Sequence, residues 1–372
     1  MSEQRTPPAR KPARKDVRPR WIAAGGVVVV LVLVVTALLV RGGGSPTPGP
    51  TGRDEDVALP EDYPFSAESV WRQDISDAPV ADNSAAQVAE IAQQVESKHD
   101  GVAAFNVNRF QVAFYTVGPD QPRVDVDWND CQKKGYTPRG LLGEDGQFTD
   151  VPIPDDAVPA AGTDGQLTVY SPETDQLWEF WKAEKTDSGT WQACWGGRMD
   201  DVSRSPGYFD GGFGSSATGL GLAGGMVWVD DARSGTIDHA LSLQLTAARH
   251  WKTFSWPAQR SDGNDRDEDA VQEGTRLRLD PDVDVDQLGL TPLAAMIARA
   301  AQKYGFIVTD RAGSVAITAE SGQELAQDNP WPALMGDAKS YEVMAGFPWD
   351  DLQALPRNYG KPSRSASPSA GG

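Results

Sequence analysis

The chain has 372 residues and carries 53 Asp and Glu against 34 Lys and Arg, a net charge of −19. That balance excludes a nucleic-acid binder, which needs clustered cations to meet phosphate. Acidity of this kind keeps a domain soluble and by itself names no partner.

The charge is distributed unevenly. Residues 1–20 hold seven Lys/Arg against Glu3 and Asp16, and residues 21–40, WIAAGGVVVVLVLVVTALLV, hold no charge at all. An apolar run of about 20 residues spans a hydrocarbon core as one helix. A basic flank before it predicts a cytoplasmic N-terminus and an exported remainder. A cleaved secretory signal is the alternative, but the apolar run is long and the RGGGSP that follows is a poor cleavage site. We therefore expect a single-pass cell-membrane protein anchored through residues 21–40. Residues 41–62 are rich in Gly, Pro and acid and read as a stem. Residues 63–346 are the expected extracytoplasmic domain, and 347–372 a C-terminal extension that turns low-complexity from about residue 360.

Cys131 and Cys194 are the only cysteines. On the oxidising side of a membrane they predict one disulfide; two buried thiols are the other reading. With neither CxxC nor an adjacent His, zinc and redox chemistry are not expected.

In the domain, two segments have helical signals. DNSAAQVAEIAQQVESK offers Ser84 as N-cap with Gln87 three residues on, and Val88, Ile91 and Val95 recur at helical spacing. LTPLAAMIARAAQKYG offers Thr291 as N-cap, Pro292 at the first helical position and Gly305 as the stop. Most other apolar runs are short, alternating and broken by Gly, Pro or Asp, among them GQLTVYSP, QLWEFWKAE, GMVWVDD, TIDHALSLQL, KTFSWPA, TRLRLD and FIVTD. The pattern predicts a mainly β fold, an antiparallel β-sandwich of jelly-roll or lectin-like type with two or three peripheral helices. FIVTDRAGSVAIT reads as a hairpin about Ala312-Gly313, and TIDHALSLQL as pairing antiparallel with KTFSWPA. QLWEFWKAE puts Trp178 and Phe180 on one face and Trp181 on the other, with Trp191 and Trp195 following, which suggests an aromatic core.

Several motifs fail on inspection. Gly219, Gly221 and Gly224 match GxGxxG in letters, but MVWVDD reads as a strand where a dinucleotide site needs a helix. HExxH, GxSxG and a P-loop are absent. The acidic stretch 262–274 resembles a calcium loop, yet Ala270 stands at the turn-glycine position and Arg276 in place of the terminal Glu. No cofactor and no metal are expected.

The candidate site is the predicted hairpin holding His239 and His250. Its register places His239 beside the loop that carries Trp256, Gln259, Arg260 and Asp262, and His250 at the far turn. In a catalytic version His239 is the acid/base, Arg260 binds an acidic group and Asp262 orients the imidazole. Trp256 and Gln259 would bind the ligand, since indole stacks on a sugar ring and polar groups take its hydroxyls. The bland alternative makes His239 a hydrogen-bonded residue at the core edge, with Arg260 and Asp262 shaping a turn.

HALSL, SWPAQRSDG, EGTRLRLDP and YGFIVTD together, with VYSPETDQLWEFW before them, resemble a family of exported, largely actinobacterial proteins of unassigned activity. The resemblance implies a shared fold and export and supplies no reaction. Members of that family often carry Gly-Asp-Arg-His where this chain reads Thr163-Asp164-Gly165-Gln166, so a site that used that histidine is incomplete here. The functional expectation is recognition or processing of envelope polysaccharide, as a glycan-active hydrolase or lyase or as a binding module. A non-catalytic structural or protein-interaction module of the envelope is the alternative.

Overall fold

The structure, a computed structural model, describes residues 60–322, 329–336 and 338–363. The apolar run 21–40 and the stem up to residue 59 lie outside the described residues. Those described fall in one unit that is mainly sheet with few helices.

The first sheet has six strands in the order β1 (Ala104–Asn106), β12 (Ala316–Thr318), β9 (Leu241–Leu245), β11 (Phe306–Arg311), β10 (Arg276–Leu279) and β13 (Leu352–Ala354). β9 is central, and all five of its residues are buried. Its alternation separates two environments. Leu241, Leu243 and Leu245 join an apolar cluster with α1 (Ser84–Glu96) and α3 (Pro292–Lys303), including Ile91, Ile297 and Val308. Each such leucine stabilises the fold by about 1.5–3 kcal/mol. Ser242 and Gln244 take the opposite face, where Gln244 Oε1 accepts from Thr318 Oγ1 at 3.1 Å.

The second sheet runs β2 (Ala113–Thr116), β4 (Leu167–Ser171), β5 (Gln176–Trp181) and β8 (Trp195–Asp200). A third, smaller sheet has the order β3 (Asp127–Trp128), β7 (Trp191–Ala193), β6 (Glu184–Lys185). In β5, Trp178 and Phe180 face a cluster with Leu167, Val169, Phe148 and Trp191. Leu177 faces the other way, into a cluster with Trp71, Phe114, Met199, Trp228 and Ile307 that draws on both the first and second sheets.

The pairing is mixed, which corrects the all-antiparallel expectation. β1 with β12, β9 with β11, β2 with β4 and β3 with β7 are all parallel. Parallel neighbours need long crossovers, which a reading built on consecutive hairpins does not find. Neither expected hairpin forms. β11 and β12 are consecutive strands, but β9 lies between them. KTFSWPA forms no strand, and the partners of β9 are β11 and β12. MVWVDD is also not a strand: its second half begins α2 (Val229–Ser234).

The helices keep their predicted places with one change of cap. Thr291 Oγ1 accepts from the Ala294 N–H at 3.1 Å, Pro292 opens α3, and Gly305 follows at φ +75°. In α1 the cap is Asn83; Ser84 is already helical, and its hydroxyl oxygen accepts from the Ala354 N–H at 2.8 Å, docking the helix on the edge strand.

Candidate functional site

Between the first and second sheets lies a cleft of about 860 Å³, within the usual size of a small-molecule site. The first sheet contributes Asn106, Gln244, Asp310, Arg311 and Thr318; the second contributes Trp181 and Trp195. Loops supply the rest, including Phe110, Lys134, Asp164, Gln166, Ser215, Arg260 and Asp262.

Local structure explains each placement. Trp181 and Trp195 end β5 and begin β8 and lie directly opposite one another in register, a cross-strand pair on one sheet face. Beside them, Cys131 and Cys194 form a disulfide, 63 residues apart in sequence. It fastens the loop carrying Gln132 and Lys134 to the strand start at Trp195. The Asp130 carboxylate tightens that loop, accepting from the Lys134 and Gly135 N–H groups at 2.7 Å each. Lys134 Nζ then sits 4.3 Å from the centre of the Trp195 ring.

Asp310 and Arg311 are neighbours on β11, yet both line the cleft. In a regular strand they would point to opposite faces; a bulge between Val308 and Asp310 sets Asp310 level with Gln244, and Arg311, the last residue of the strand, reaches Asp262 in the loop. Arg311 holds Asp262 with two parallel bonds, Nε to Oδ1 at 3.0 Å and Nη2 to Oδ2 at 3.1 Å. The Asp262 N–H donates to Glu273 Oε2 at 3.1 Å. Asp310 accepts from the Ala217 and Arg311 N–H groups, both at 2.9 Å. Arg260 donates through Nη2 to the Gly214 and Ser216 carbonyl oxygens at 2.9 and 2.6 Å.

Asp262, Glu273 and Asp310 therefore converge, with one oxygen of each within 4.8 Å of the others. They are a set that could hold a divalent cation. The charge balance also has a solution without one, because three carboxylates stand beside the guanidiniums of Arg260 and Arg311, and one proton makes the group neutral. Burial pushes Glu273 up to about 9, helped by the Asp262 side chain, through a carboxyl–carboxyl hydrogen bond and its charge. Burial likewise lifts Asp310 to about 7 against its backbone hydrogen bonds. At neutral pH the floor of the cleft thus keeps a proton on Glu273 and titrates at Asp310, beside the Asp262 side chain that Arg311 holds. A third acid lifted by burial lies behind Ser215: Glu179 Oε2 accepts from Ser215 Oγ at 3.0 Å, and burial lifts this carboxyl to about 7.

Of the five candidate residues read from sequence, the cleft gathers two, Arg260 and Asp262. Trp256 and Gln259 do not line it. The Trp256 N–H donates to Asn358 Oδ1 at 2.8 Å, and Gln259 Nε2 donates to the Pro257 carbonyl at 2.8 Å. His239 is elsewhere and 0% exposed. Its Nε2 lies 3.0 Å from Asp231 Oδ2, its Nδ1 lies 2.9 Å from the Ala240 carbonyl oxygen, and its ring stacks on Tyr63. The expected triad of His239, Arg260 and Asp262 does not assemble, because the hairpin that was to bring them together does not form. His250 stands beside Trp251, away from the cleft lining, and the histidine that does line it is His99.

The signals missed in the sequence were acids inside apolar strands: Asp310 closing FIVTD and Glu179 within QLWEFW. Asp and Glu are rarely buried without a partner or a purpose. Comparison with protein-family models, with curated proteins and with solved structures gives no match to this chain.

Proposed function

We propose that the domain binds a saccharide of the cell envelope in this cleft and does so outside the cytoplasm, tethered through residues 21–40. One observation carries the binding reading: Trp181, Trp195 and Phe110 line the same cleft as Gln166, Gln244, Asn106 and Asp164. Ring faces beside amide and carboxylate groups suit a pyranose, which has an apolar face and a hydroxylated rim. The Cys131–Cys194 disulfide supports the extracytoplasmic side. The apolar cluster shared by the first and second sheets supports a sandwich-like architecture with the ligand between its layers.

The reading is tested by affinity electrophoresis of the full-length protein through gels containing plant, microbial and synthetic polysaccharides. Retardation that Trp181→Ala and Gln166→Ala abolish is the expected result; mobility unchanged in every gel overturns it. Protease added to intact cells without an outer barrier should remove the acidic domain, and full protection would place it on the other side.

A hydrolytic version has one specific observation in its favour: Asp310 holds a proton up to about pH 7, next to Asp262 fixed by Arg311. A protonated carboxyl beside an ionised one is what glycoside hydrolysis requires, the first to protonate the leaving oxygen and the second to act as base or nucleophile. New reducing ends from any polysaccharide the protein binds, lost in Asp310→Asn, would establish it; binding with no cleavage would leave a binding module.

A further inference from the structure

Two cations approach one indole in a strongly acidic chain. Lys134 Nζ lies 4.3 Å and Arg260 Cζ 5.9 Å from the centre of the Trp195 ring, and both residues line the cleft. Like charges on one ring repel each other, so this geometry holds only because other forces fix each side chain. Arg260 is anchored by two backbone carbonyls, and Lys134 by the disulfide-closed loop and the ring itself. Neither makes an ion pair within 4.0 Å among the described residues, although Asp and Glu exceed Lys and Arg by 53 to 34 in the chain.

The nearby carboxyls do not cancel them. Asp262 gives both its oxygens to Arg311. Asp310 accepts from the Ala217 and Arg311 N–H groups on its two oxygens, Glu273 accepts the Asp262 N–H, and neither carboxyl is within ion-pair distance of Arg260 among the described residues. Three cations, Lys134, Arg260 and Arg311, thus line the cleft, and of these Arg311 alone has an ion-pair partner among the described residues.

We propose that the cleft takes a saccharide bearing an anionic substituent, gripped by Lys134 and Arg260 beside the Trp195 ring. The inference rests on the saccharide reading above and narrows it to acidic glycans. The anion relieves the repulsion between the two cations, and the sugar ring occupies the aromatic wall next to them. Lys134 is the first contact, since it is exposed at the rim. Arg260, its Nη1 making no hydrogen bond among the described residues, is the deeper one.

The test is isothermal titration of the full-length protein with two matched pairs of polymers. Polygalacturonate against its fully methyl-esterified form removes a carboxylate from an unchanged backbone; dextran sulfate against dextran does the same for sulfate. The charged member of at least one pair should bind at least tenfold more tightly, weaken as sodium chloride screens it, and lose at least fivefold in Lys134→Gln. The pair in which this occurs identifies the substituent. Neutral members that bind as well as charged ones overturn the inference and leave the saccharide reading standing. Binding by none of the four overturns the inference, and retardation in the polysaccharide gels then decides whether the saccharide reading stands. Lys134→Gln with full affinity for the charged polymer removes Lys134 from the grip and overturns the proposal in this form; the exposed position keeps the fold out of that comparison.

Discussion

The Asp231–His239 pair and the floor of the cleft both gather ionisable groups away from water, and they satisfy them in opposite ways. His239 meets one carboxylate and one carbonyl, and Asp231 also accepts from the Trp228 N–H at 3.0 Å. Each ring nitrogen has a partner, Tyr63 covers the ring, and nothing points to open space. The floor instead crowds Asp262, Glu273 and Asp310 together and leaves Glu273 Oε1 and Arg260 Nε buried without a hydrogen bond among the described residues. A pair of the first kind fixes how segments pack. Groups of the second kind change their proton affinities and accept new partners, which is the physical profile of a site. Stability and ligand binding should therefore reside in different residues.

The largest effect is expected at His239. His239→Ala removes a fully buried ring and leaves Asp231 without that hydrogen-bond partner, a large-to-small change that costs about 3–5 kcal/mol by chemical denaturation. Ligand affinity per folded molecule should not change. A loss under about 1 kcal/mol would mean that the two regions do not differ as described. The disulfide comes next. In the chain-entropy picture a cross-link over a loop of this length stabilises by about 4 kcal/mol, and Cys131→Ser with Cys194→Ser should lower the melting temperature accordingly. Unlike His239→Ala, it should also weaken binding, because it frees the loop that carries Lys134 at the rim of the cleft. Unchanged affinity would show that Asp130 alone holds that loop.

A pH effect comes next. Glu179 is lifted to about 7 by burial, so the folded state binds a proton that the unfolded state has released. Its contribution is complete below the usual carboxyl value, near 4.5, and is lost as pH rises through about 7. Melting temperature should therefore fall between pH 5 and 8 by more in the wild type than in Glu179→Gln, whose amide stands in for the protonated acid. Each tenfold difference in proton affinity between the folded and unfolded chain corresponds to about 1.4 kcal/mol. Parallel pH profiles for the two proteins would place the titration elsewhere.

What could be read in the sequence was local. Helical periodicity located α1 and α3, the Thr291-Pro292 start held, and alternation sorted Leu241, Leu243 and Leu245 from Ser242 and Gln244. The cysteine pair could be read because there were only two. The cleft could not be assembled. It joins Lys134, Trp195, Arg260 and Asp310, which lie far apart along the chain, through parallel pairings and a bulge that have no short-range signature. His239 attracted a functional reading because histidines are scarce and titrate near neutrality. Its true partner, Asp231, is eight residues away across a turn from α2, outside the strand pattern being followed.

The smallest expected change in stability is at Arg311, and it draws the sharpest line between the two regions. Its bond to Asp262 is bidentate, but Asp262 is half exposed, with 48% of its side chain open to solvent. Exposed ion pairs contribute about 0.2–1 kcal/mol, because water and salt screen the charges and the side chains lose freedom. Arg311→Lys keeps the charge and removes the planar fork, so unfolding should move by less than about 1 kcal/mol. Asp262, however, would no longer be held in one orientation between Arg311 and Glu273. Carboxyl carbon resonances followed by NMR across a pH titration should then show the Glu273 transition displaced from its wild-type position, since the Asp262 hydrogen bond and charge help set it. A substitution that barely alters stability yet moves a buried titration would mark this floor as organised for chemistry or binding. If Arg311→Lys instead destabilised the fold as much as His239→Ala, the floor would be one more structural pair, and the distinction between the two regions would collapse.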